Sequence, residues 1–489
     1  MNNSPATHID LQAMAQQIML EHGFEPEFPA AVQQQMAAIQ ARPPLAAPST
    51  NGIRDLRGLL WSSIDNDTSR DLDQIEVAER QPNGDVKILV GIADVDAFVP
   101  KSTPIDDHAA KETTTVYTGV RNFPMLPEAL SNGASSLLED QDRLAMVIEF
   151  IASTDGNVSS GTVYPALVRN KAQLTYNAVG SWLEGKAPAP PTLAASAELQ
   201  AQLRLQNDVA QALKKQRFSH GALNIDTNEV HPIVLNERVI DIAKQEKNPA
   251  TELIEDFMVA ANGVVARLLE KVSSLRRIVK TPKRWDRIVQ LAASHGGHLP
   301  PQPDSKALNE FLLQRKQADP DHFADLSLAV IKLIGPGEYV LERPGDPEQG
   351  HFGLAVQDYT HSTAPNRRFA DVVTQRLLKA YIAGASNPYS DGALAGIATN
   401  CTVKEDAAHK VEREMSKRLA AVAMSNRIGE VFDAIVTGVT PHGTFVRVLK
   451  PHIEGLLAQG HQGVDVGDKL RVKLTRTDVQ RGYIDFERA

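Results

Sequence analysis

Residues 62–73, SSIDNDTSRDLD, place four carboxylates in one short turn: Asp65, Asp67, Asp71 and Asp73. Carboxylates this close together repel one another when all of them are ionised, so a cation is expected among them. No cysteine or histidine stands nearby in the sequence, and hard oxygen ligands favour Mg²⁺, Mn²⁺ or Ca²⁺ over zinc. The turn is therefore a candidate site for a hard divalent ion.

The residues after this turn predict the element that positions the acids. Residues 75–95 combine alternating apolar residues, a Pro-Asn-Gly-Asp turn at 82–85 and a strongly apolar second half, which is typical of a β-hairpin. The second strand is too apolar to be exposed. The acids are therefore expected to open a core strand of a sheet.

Three interpretations of the acid cluster are open on these residues. The first is a solvated acidic turn. The second is an EF-hand-like calcium loop, because its positions 1, 3, 5, 7, 9 and 12 would fall on Asp65, Asp67, Ser69, Asp71, Asp73 and Glu76. Arg70 stands where that loop needs glycine, and the flanking residues predict strands instead of helices. The third, which we favour, is a two-metal site for phosphodiester hydrolysis.

Four separated motifs support the third interpretation through a resemblance. In order and spacing they resemble the catalytic domain of ribonuclease II and ribonuclease R, the RNB family: SIDNDTSRDLDQ at 63–74, GIADV at 91–95, FPMLPEALSN at 123–132 and THSTAPNRRFAD at 360–371. The resemblance spans about residues 50 to 425. Four motifs in order are more specific than any one of them alone.

The resemblance implies a fold and an activity. The fold is α+β and multidomain, with a mixed-sheet catalytic domain surrounded by helices and a C-terminal OB-type β-barrel. The activity is that of a 3′ to 5′ exoribonuclease, which hydrolyses single-stranded RNA to nucleoside 5′-monophosphates with Mg²⁺, or with Mn²⁺ as the other candidate. We expect residues 1–50 to form a helical hairpin and linker, 51–427 the catalytic domain and 428–489 the barrel.

The resemblance also assigns roles at the site. The implied metal ligands are Asp65, Asp71, Asp73 and Gln74. Asp73 and Arg367 are the expected catalytic residues, with Arg367 stabilising the pentacoordinate phosphate. The family has a fourth aspartate where Gln74 stands, and a neutral amide removes one charge, so we expect a more weakly bound second ion or substitution by Asp67. A catalytically impaired RNA-binding relative is the alternative function.

Further positions in the catalytic domain are implied to contact RNA: Tyr117, Tyr176, Ile225, Glu255, Lys280, Arg367 and Arg368. Tyr117 is expected to stack on a nucleotide, whereas Ile225 stands where the family has a second aromatic clamp. Glu255 is assigned to a ribose hydroxyl and Lys280 to the RNA path. Structural alternatives stay open, namely a core tyrosine, a solvated helix acid, and surface arginines paired with Asp371.

The C-terminal residues 429–457 alternate apolar and polar residues, with glycine at the turns, and predict a small β-barrel. The expected stacking and phosphate contacts of this barrel are Phe432, His442, Phe445, Arg447, Lys469 and Arg471. At least one of the two phenylalanines is expected in the barrel core. Acids and bases are balanced in this tail, so we expect it to guide RNA without binding it tightly on its own.

Composition sets outer limits on the function. The chain of 489 residues has 42% hydrophobic residues, which suits several globular domains, and a net charge of −9, which argues against a generally basic surface. Its single cysteine, Cys401, excludes an internal disulfide and a thiolate metal cluster. No apolar run approaches about 18 residues, and the polar start lacks a secretory pattern. We therefore expect a cytoplasmic protein, monomeric and without a membrane partner.

The first 40 residues predict a helical hairpin. Asp10 can cap a helix whose apolar stripe is Leu11, Met14, Ala15, Ile18 and Met19. A second helix is expected after Pro29. Because basic residues that could contact phosphate are scarce here, we expect both helices to pack on the main domain and not to form a DNA-reading helix-turn-helix.

Overall fold

The computed structural model describes residues 10–41, 52–226, 230–235, 238–244, 247–320, 322–347 and 349–489. The predicted N-terminal hairpin is present as α1 (Leu11–Glu21) and α2 (Ala30–Gln40). Asp10 caps α1 by accepting a hydrogen bond from the N–H of Ala13 at 2.9 Å. The apolar stripe of α1 packs against the catalytic region, as expected for helices that cover it. Most of the predicted linker, residues 42–51, lies outside the described part of the chain.

The catalytic region mixes strands with helices that surround them. Its strands are β1 (Arg54–Asp55), β2 (Ser62–Asp65), β3 (Gln74–Arg80), β4 (Val86–Ala93), β5 (Val116–Tyr117), β6 (Asn122–Phe123), β7 (Asp142–Ala152), β8 (Val158–Arg169), β9 (Ala172–Thr175), β10 (Val230–Leu235), β11 (Arg238–Lys244), β12 (Ser274–Ile278) and β13 (Glu338–Glu342). Its helices are α3 (Pro104–Glu112), α4 (Tyr176–Leu183), α5 (Pro191–Ala194), α6 (Ala197–Ser219), α7 (Pro249–Leu268), α8 (Trp285–Ser294), α9 (Ser305–Ala318), α10 (Phe323–Ile334), α11 (Phe369–Ile382) and α12 (Asp391–Met424).

A mixed sheet of seven strands, in the order β1-β8-β7-β4-β3-β2-β9, carries the acid cluster. The predicted hairpin is β3 and β4, paired antiparallel with Gln74 opposite Ile92. Strand β2 runs antiparallel to β3, with Ser62 opposite Glu76, and parallel to β9. The end of β2 and the start of β3 therefore lie side by side, and the turn between them, residues 66–73, holds the acids at this end of the sheet.

The sheet is buried because helices cover its apolar face. The spacing of apolar residues in 249–269 predicts an amphipathic helix, and this helix is α7. Its Leu253, Phe257 and Val265 are buried in the same core cluster as the apolar residues of β4. Helix α11 packs in that cluster as well. Proline is typical of the first turn of a helix, so Pro365 predicts a helix that starts there and presents Arg367 and Arg368 from its first turn; this prediction is wrong. The helix begins at Phe369, because Arg368 is extended, with φ −136° and ψ 126°.

The C-terminal residues form the predicted closed barrel, from strands β14 (Val431–Thr440), β15 (Gly443–Val448), β16 (Ile453–Gln459), β17 (Lys469–Asp478) and β18 (Tyr483–Arg488). The strand order is β14-β15-β16-β18-β17. Barrel core residues pack with Ala421 and Met424 at the end of α12, so this long helix ties the barrel to the catalytic region. The α+β multidomain fold with a terminal barrel is confirmed.

Candidate active site

The turn between β2 and β3 holds its acids in different surroundings. Asp65, the last residue of β2, accepts hydrogen bonds from the N–H of Asn66 and the hydroxyl of Ser69, both at 2.7 Å. Asp67 is exposed, whereas Asp73 is only 6% exposed. Asp73, the buried acid of this turn, is thus the one to which the resemblance assigns a catalytic role.

Asp73 lies beside an arginine supplied from almost 300 residues further along the chain. Its carboxylate accepts a hydrogen bond from the backbone N–H of Asn366 at 2.9 Å and lies 3.7 Å from the Nε atom of Arg367. The Asp73 side chain is 8% exposed and the Arg367 side chain 48%. Nearly half of the Arg367 side chain is therefore open to solvent, where a phosphate could approach.

The loop that carries Arg367 is fixed by buried hydrogen bonds. The Oδ1 atom of Asn366 accepts a hydrogen bond from the hydroxyl of Ser135 at 2.6 Å. Arg368 donates two hydrogen bonds to the buried carboxylate of Asp371, at 2.9 and 2.8 Å. The N–H of Ala364 donates to the same carboxylate at 2.8 Å. Arg368, assigned to RNA by the resemblance, is therefore a structural arginine, as in the salt-bridged alternative.

Burial and mutual repulsion disfavour negative charge at the acids. Burial raises the pKa of Asp73 to about 8, although Arg367 opposes this shift. Burial also raises the pKa of Asp71, and the charge of Asp65 raises it further. The pKa of Glu76 is raised well above its usual value by complete burial and then by Asp65. A bound cation would offset these costs and stabilise the ionised carboxylates.

Gln74 and Glu76 both lie near the start of β3. Gln74 is buried, and its Nε2 donates a hydrogen bond to the carbonyl of Ile64 at 3.2 Å. Glu76 is fully buried in β3, and sequence reasoning considered it only as the last position of a calcium loop. That EF-hand interpretation is wrong, because strands β2 and β3 flank the turn where the motif requires helices.

The donor types suit a hard divalent ion, since all of them are oxygen atoms. In the described part of the chain, no group of three or more His, Cys, Asp or Glu side chains is arranged to hold a metal ion. Binding would therefore require the carboxylates to turn towards a common point. Such an ion would stabilise the ionised form of these carboxylates, whose pKa values burial raises.

Two of the predicted RNA contacts border the acids. Tyr117 is 40% exposed. Its phenol lies within electrostatic range of Arg367, Asp71 and Asp73. Burial raises the pKa of the Tyr176 phenol, with further increases from Asp65 and Glu76. Both tyrosines therefore lie beside the acid cluster, where a nucleotide at the site could meet them.

Three other predicted contacts have protein partners. Ile225 is half-buried and packs against the apolar cluster around Trp285. Glu255 pairs with Lys247 at 3.0 Å, and Lys280 pairs with Glu338 at 2.5 Å while staying half exposed. Each of the three residues therefore already has a contact within the protein. Their assignment to RNA stays a prediction.

The barrel corrects two assignments. Phe432 is only 6% exposed and meets Phe486 edge-on at 6.4 Å in the barrel core, so its assignment to base stacking is wrong. Arg447 donates to both carboxylate oxygens of Asp325 in α10, at 2.5 and 2.9 Å, and thus holds the barrel against the catalytic region. The half-buried Phe445 and the exposed Lys469 and Arg471 stay predicted RNA contacts.

Comparison with known proteins agrees with this geometry. Residues 53–384 match the RNB domain, and residues 430–489 match the RNase II-type exonuclease C-terminal S1 domain. Ribonuclease R of Thermotoga maritima is 30% identical over 96% of this chain and 69% of its own length. Ribonuclease R of Escherichia coli is 32% identical over 94% of this chain, which spans 60% of that longer protein.

The fold has a close counterpart among solved structures. The structure of Mycoplasma genitalium RNase R in complex with ribose methylated single-stranded RNA superposes with a TM-score of 0.85. The two chains are 23% identical, and the match covers 98% of this chain and 78% of that one. The likeness confirms the arrangement of catalytic region and barrel.

Proposed function

Because the chain belongs to the RNB family of exoribonucleases, we propose that it hydrolyses single-stranded RNA from the 3′ end to nucleoside 5′-monophosphates. The observation that supports this most directly is the pairing of buried Asp73 with half-exposed Arg367 at 3.7 Å. Phosphodiester hydrolysis of this kind requires two features. One is an acid that binds a cation, and the other is a guanidinium group that can contact the phosphate.

Each of these side chains has a distinct task in the proposed reaction. Asp65, Asp71 and Asp73 would hold Mg²⁺, or Mn²⁺ in its place, and such ions would supply Lewis acidity at the scissile phosphate. Arg367 binds the scissile phosphate as its negative charge rises. The Asn366 N–H fixes the orientation of Asp73 through its 2.9 Å hydrogen bond. Tyr117 stacks on a nucleotide near the 3′ end.

We also propose that the protein acts in the cytoplasm as a monomer on RNA alone. Across the described residues, no helix is both long enough and apolar enough to span a bilayer. Phe445, Lys469 and Arg471 on the barrel would guide single-stranded RNA towards the site.

A second candidate function is RNA binding without catalysis. The observation that favours it is Gln74, whose amide donates to the carbonyl of Ile64 and adds no negative charge. With only three aspartates, the site would hold a second ion weakly. This function requires that RNA binds while cleavage is absent.

Labelled RNA separates the two functions. The 5′-labelled single-stranded RNA is incubated with the protein and Mg²⁺, or with a chelator. We expect Mg²⁺ to produce a ladder that shortens from the 3′ end and chelator to prevent it. RNA that stays intact but shifts on a native gel would indicate the binding function. The matched pair Asp73→Asn and Asp85→Asn assigns the activity, because Asp85 is a half-buried acid at the turn at the far end of the same hairpin.

A further inference from the structure

Glu76 is an ionisable side chain that the proposed reaction does not use. It is 0% exposed, in the middle of the catalytic sheet. Both of its carboxylate oxygens are buried without a hydrogen-bond partner among the described residues, and so is the hydroxyl of Ser62 on the neighbouring strand. An isolated buried carboxylate is costly, so acids in such places are protonated, paired or bound to a cation.

The position of Glu76 relates it to Gln74. The two residues are two apart on β3, so their side chains leave the same face of the sheet, about 7 Å apart along the strand. Glu76 also lies within electrostatic range of Asp65 and Tyr176, which border the site. Its side chain is one methylene longer than that of aspartate, which extends its reach towards the end of the strand where the acids lie.

Charge supplies the chemical reason for a fourth acid. Two divalent ions carry four positive charges, whereas Asp65, Asp71 and Asp73 together carry three negative ones, and Asp67, the other candidate for a fourth ligand, is exposed to solvent. Gln74 adds none. An ionised Glu76 would bring the acids into balance with the two ions, and the ions would in turn stabilise its buried charge.

We propose that Glu76 is a metal-ligating residue that supplies the fourth carboxylate of the two-ion site, in place of an acid at position 74. The inference rests on the proposed function, since it requires a metal-dependent site. It assigns Gln74 a structural task, the hydrogen bond to Ile64 that joins β3 to β2. The competing assignment is a permanently protonated core acid that binds no metal.

Counting bound ions tests the proposal without reference to activity. Free Mn²⁺ is measured by electron paramagnetic resonance during titration of the wild-type protein, Glu76→Gln and the control Glu79→Gln. Glu79 lies on the same strand but is half-exposed and paired with Lys87. We expect two ions in the wild-type protein and in the control. In Glu76→Gln we expect the second ion to bind about 10- to 100-fold more weakly. Equal affinities in all three proteins would overturn the proposal.

Thermal unfolding tests whether a folding defect in Glu76→Gln explains a loss of metal binding. In chelator, the variant should unfold at the same temperature as the wild-type protein or higher, because the carboxylate it removes has no partner. In Mn²⁺ the wild-type protein should gain more stability than the variant. A variant that is less stable in chelator and equally stabilised by Mn²⁺ would support the core-acid assignment and overturn ours.

A rescue separates this proposal from the proposed function. Adding Gln74→Asp to Glu76→Gln should restore the second ion and RNA cleavage towards wild-type levels. If the wild-type protein binds two ions and cleaves RNA while Glu76→Gln behaves identically, only the role of Glu76 is wrong. If the wild-type protein binds no Mn²⁺ and leaves RNA intact, the proposed function fails and this inference fails with it.

Discussion

Asp73→Asn should stabilise the metal-free protein although it removes a catalytic residue. Burial raises the pKa of Asp73 from 3.8 to about 8, so in chelator the folded protein keeps a proton there that the unfolded chain releases. Between these two pH values the folded state binds more protons than the unfolded state, so stability decreases as pH rises. Asparagine carries no such proton and can still accept the hydrogen bond from the N–H of Asn366.

The size of this effect follows from the two pKa values. Each pH unit above 3.8 costs about 1.4 kcal/mol until the folded-state pKa is reached. Asp73 then lowers the free energy of unfolding of the metal-free protein by roughly 1.5 kcal/mol at pH 5 and roughly 4 kcal/mol at pH 7. The difference in unfolding free energy between Asp73→Asn and the wild-type protein should therefore grow in favour of the variant by on the order of 2 to 3 kcal/mol from pH 5 to pH 7.

Urea unfolding in chelator at pH 5 and pH 7 measures this gain. The three tryptophans of the chain, Trp61, Trp182 and Trp285, all lie in the catalytic region and report its unfolding. With Mn²⁺ present, the wild-type protein should be more stable than Asp73→Asn, since only the wild-type protein retains the full set of acids that binds the ion. Parallel pH dependence in the two proteins would refute the reasoning, because it would mean that Asp73 is ionised in the metal-free fold.

Three further predictions concern the phosphate, the base and the barrel. Arg367→Ala should lower the single-turnover cleavage rate by about 10²- to 10³-fold, while gel-shift affinity for RNA changes little; a loss of affinity alone would contradict a transition-state role. Tyr117→Ala should weaken binding of single-stranded RNA by about 1 to 3 kcal/mol in fluorescence anisotropy, whereas Tyr117→Phe, which keeps the aromatic ring, should not. Equal losses of affinity in the two variants would exclude stacking. In urea unfolding, Arg447→Ala and Asp325→Ala should each lower the free energy of unfolding by about 1 to 3 kcal/mol, and the double variant should lose no more than either single variant. Additive losses would contradict the pairing.

The sequence predicts the sheet and the acids for a clear physical reason. Alternating apolar residues and the Pro-Asn-Gly-Asp turn determine the β3–β4 hairpin, and the acids lie directly before it. Their proximity to Arg367 follows from no local pattern, because the two segments are almost 300 residues apart. That expectation came from the four ordered motifs, and the distance of 3.7 Å between Asp73 and Arg367 agrees with it.

The features that the sequence does not predict depend on register and on contacts between elements. A glutamate in a strand is ordinarily expected to face solvent, and only the covering helices reveal that Glu76 is buried. Which barrel phenylalanine points inward depends on the register of β14, which composition does not specify. The pairing of Arg447 with Asp325 joins two separate elements across 122 residues, and neither residue has a local signal for it.

Anomalous diffraction from crystals grown with Mn²⁺ and an uncleavable RNA tests the central claim most directly. We expect manganese peaks bounded by the carboxylates of Asp65, Asp71 and Asp73, with the scissile phosphate between the ions and Arg367. RNA bound in the site without manganese at these carboxylates, or manganese bound elsewhere, would contradict the account.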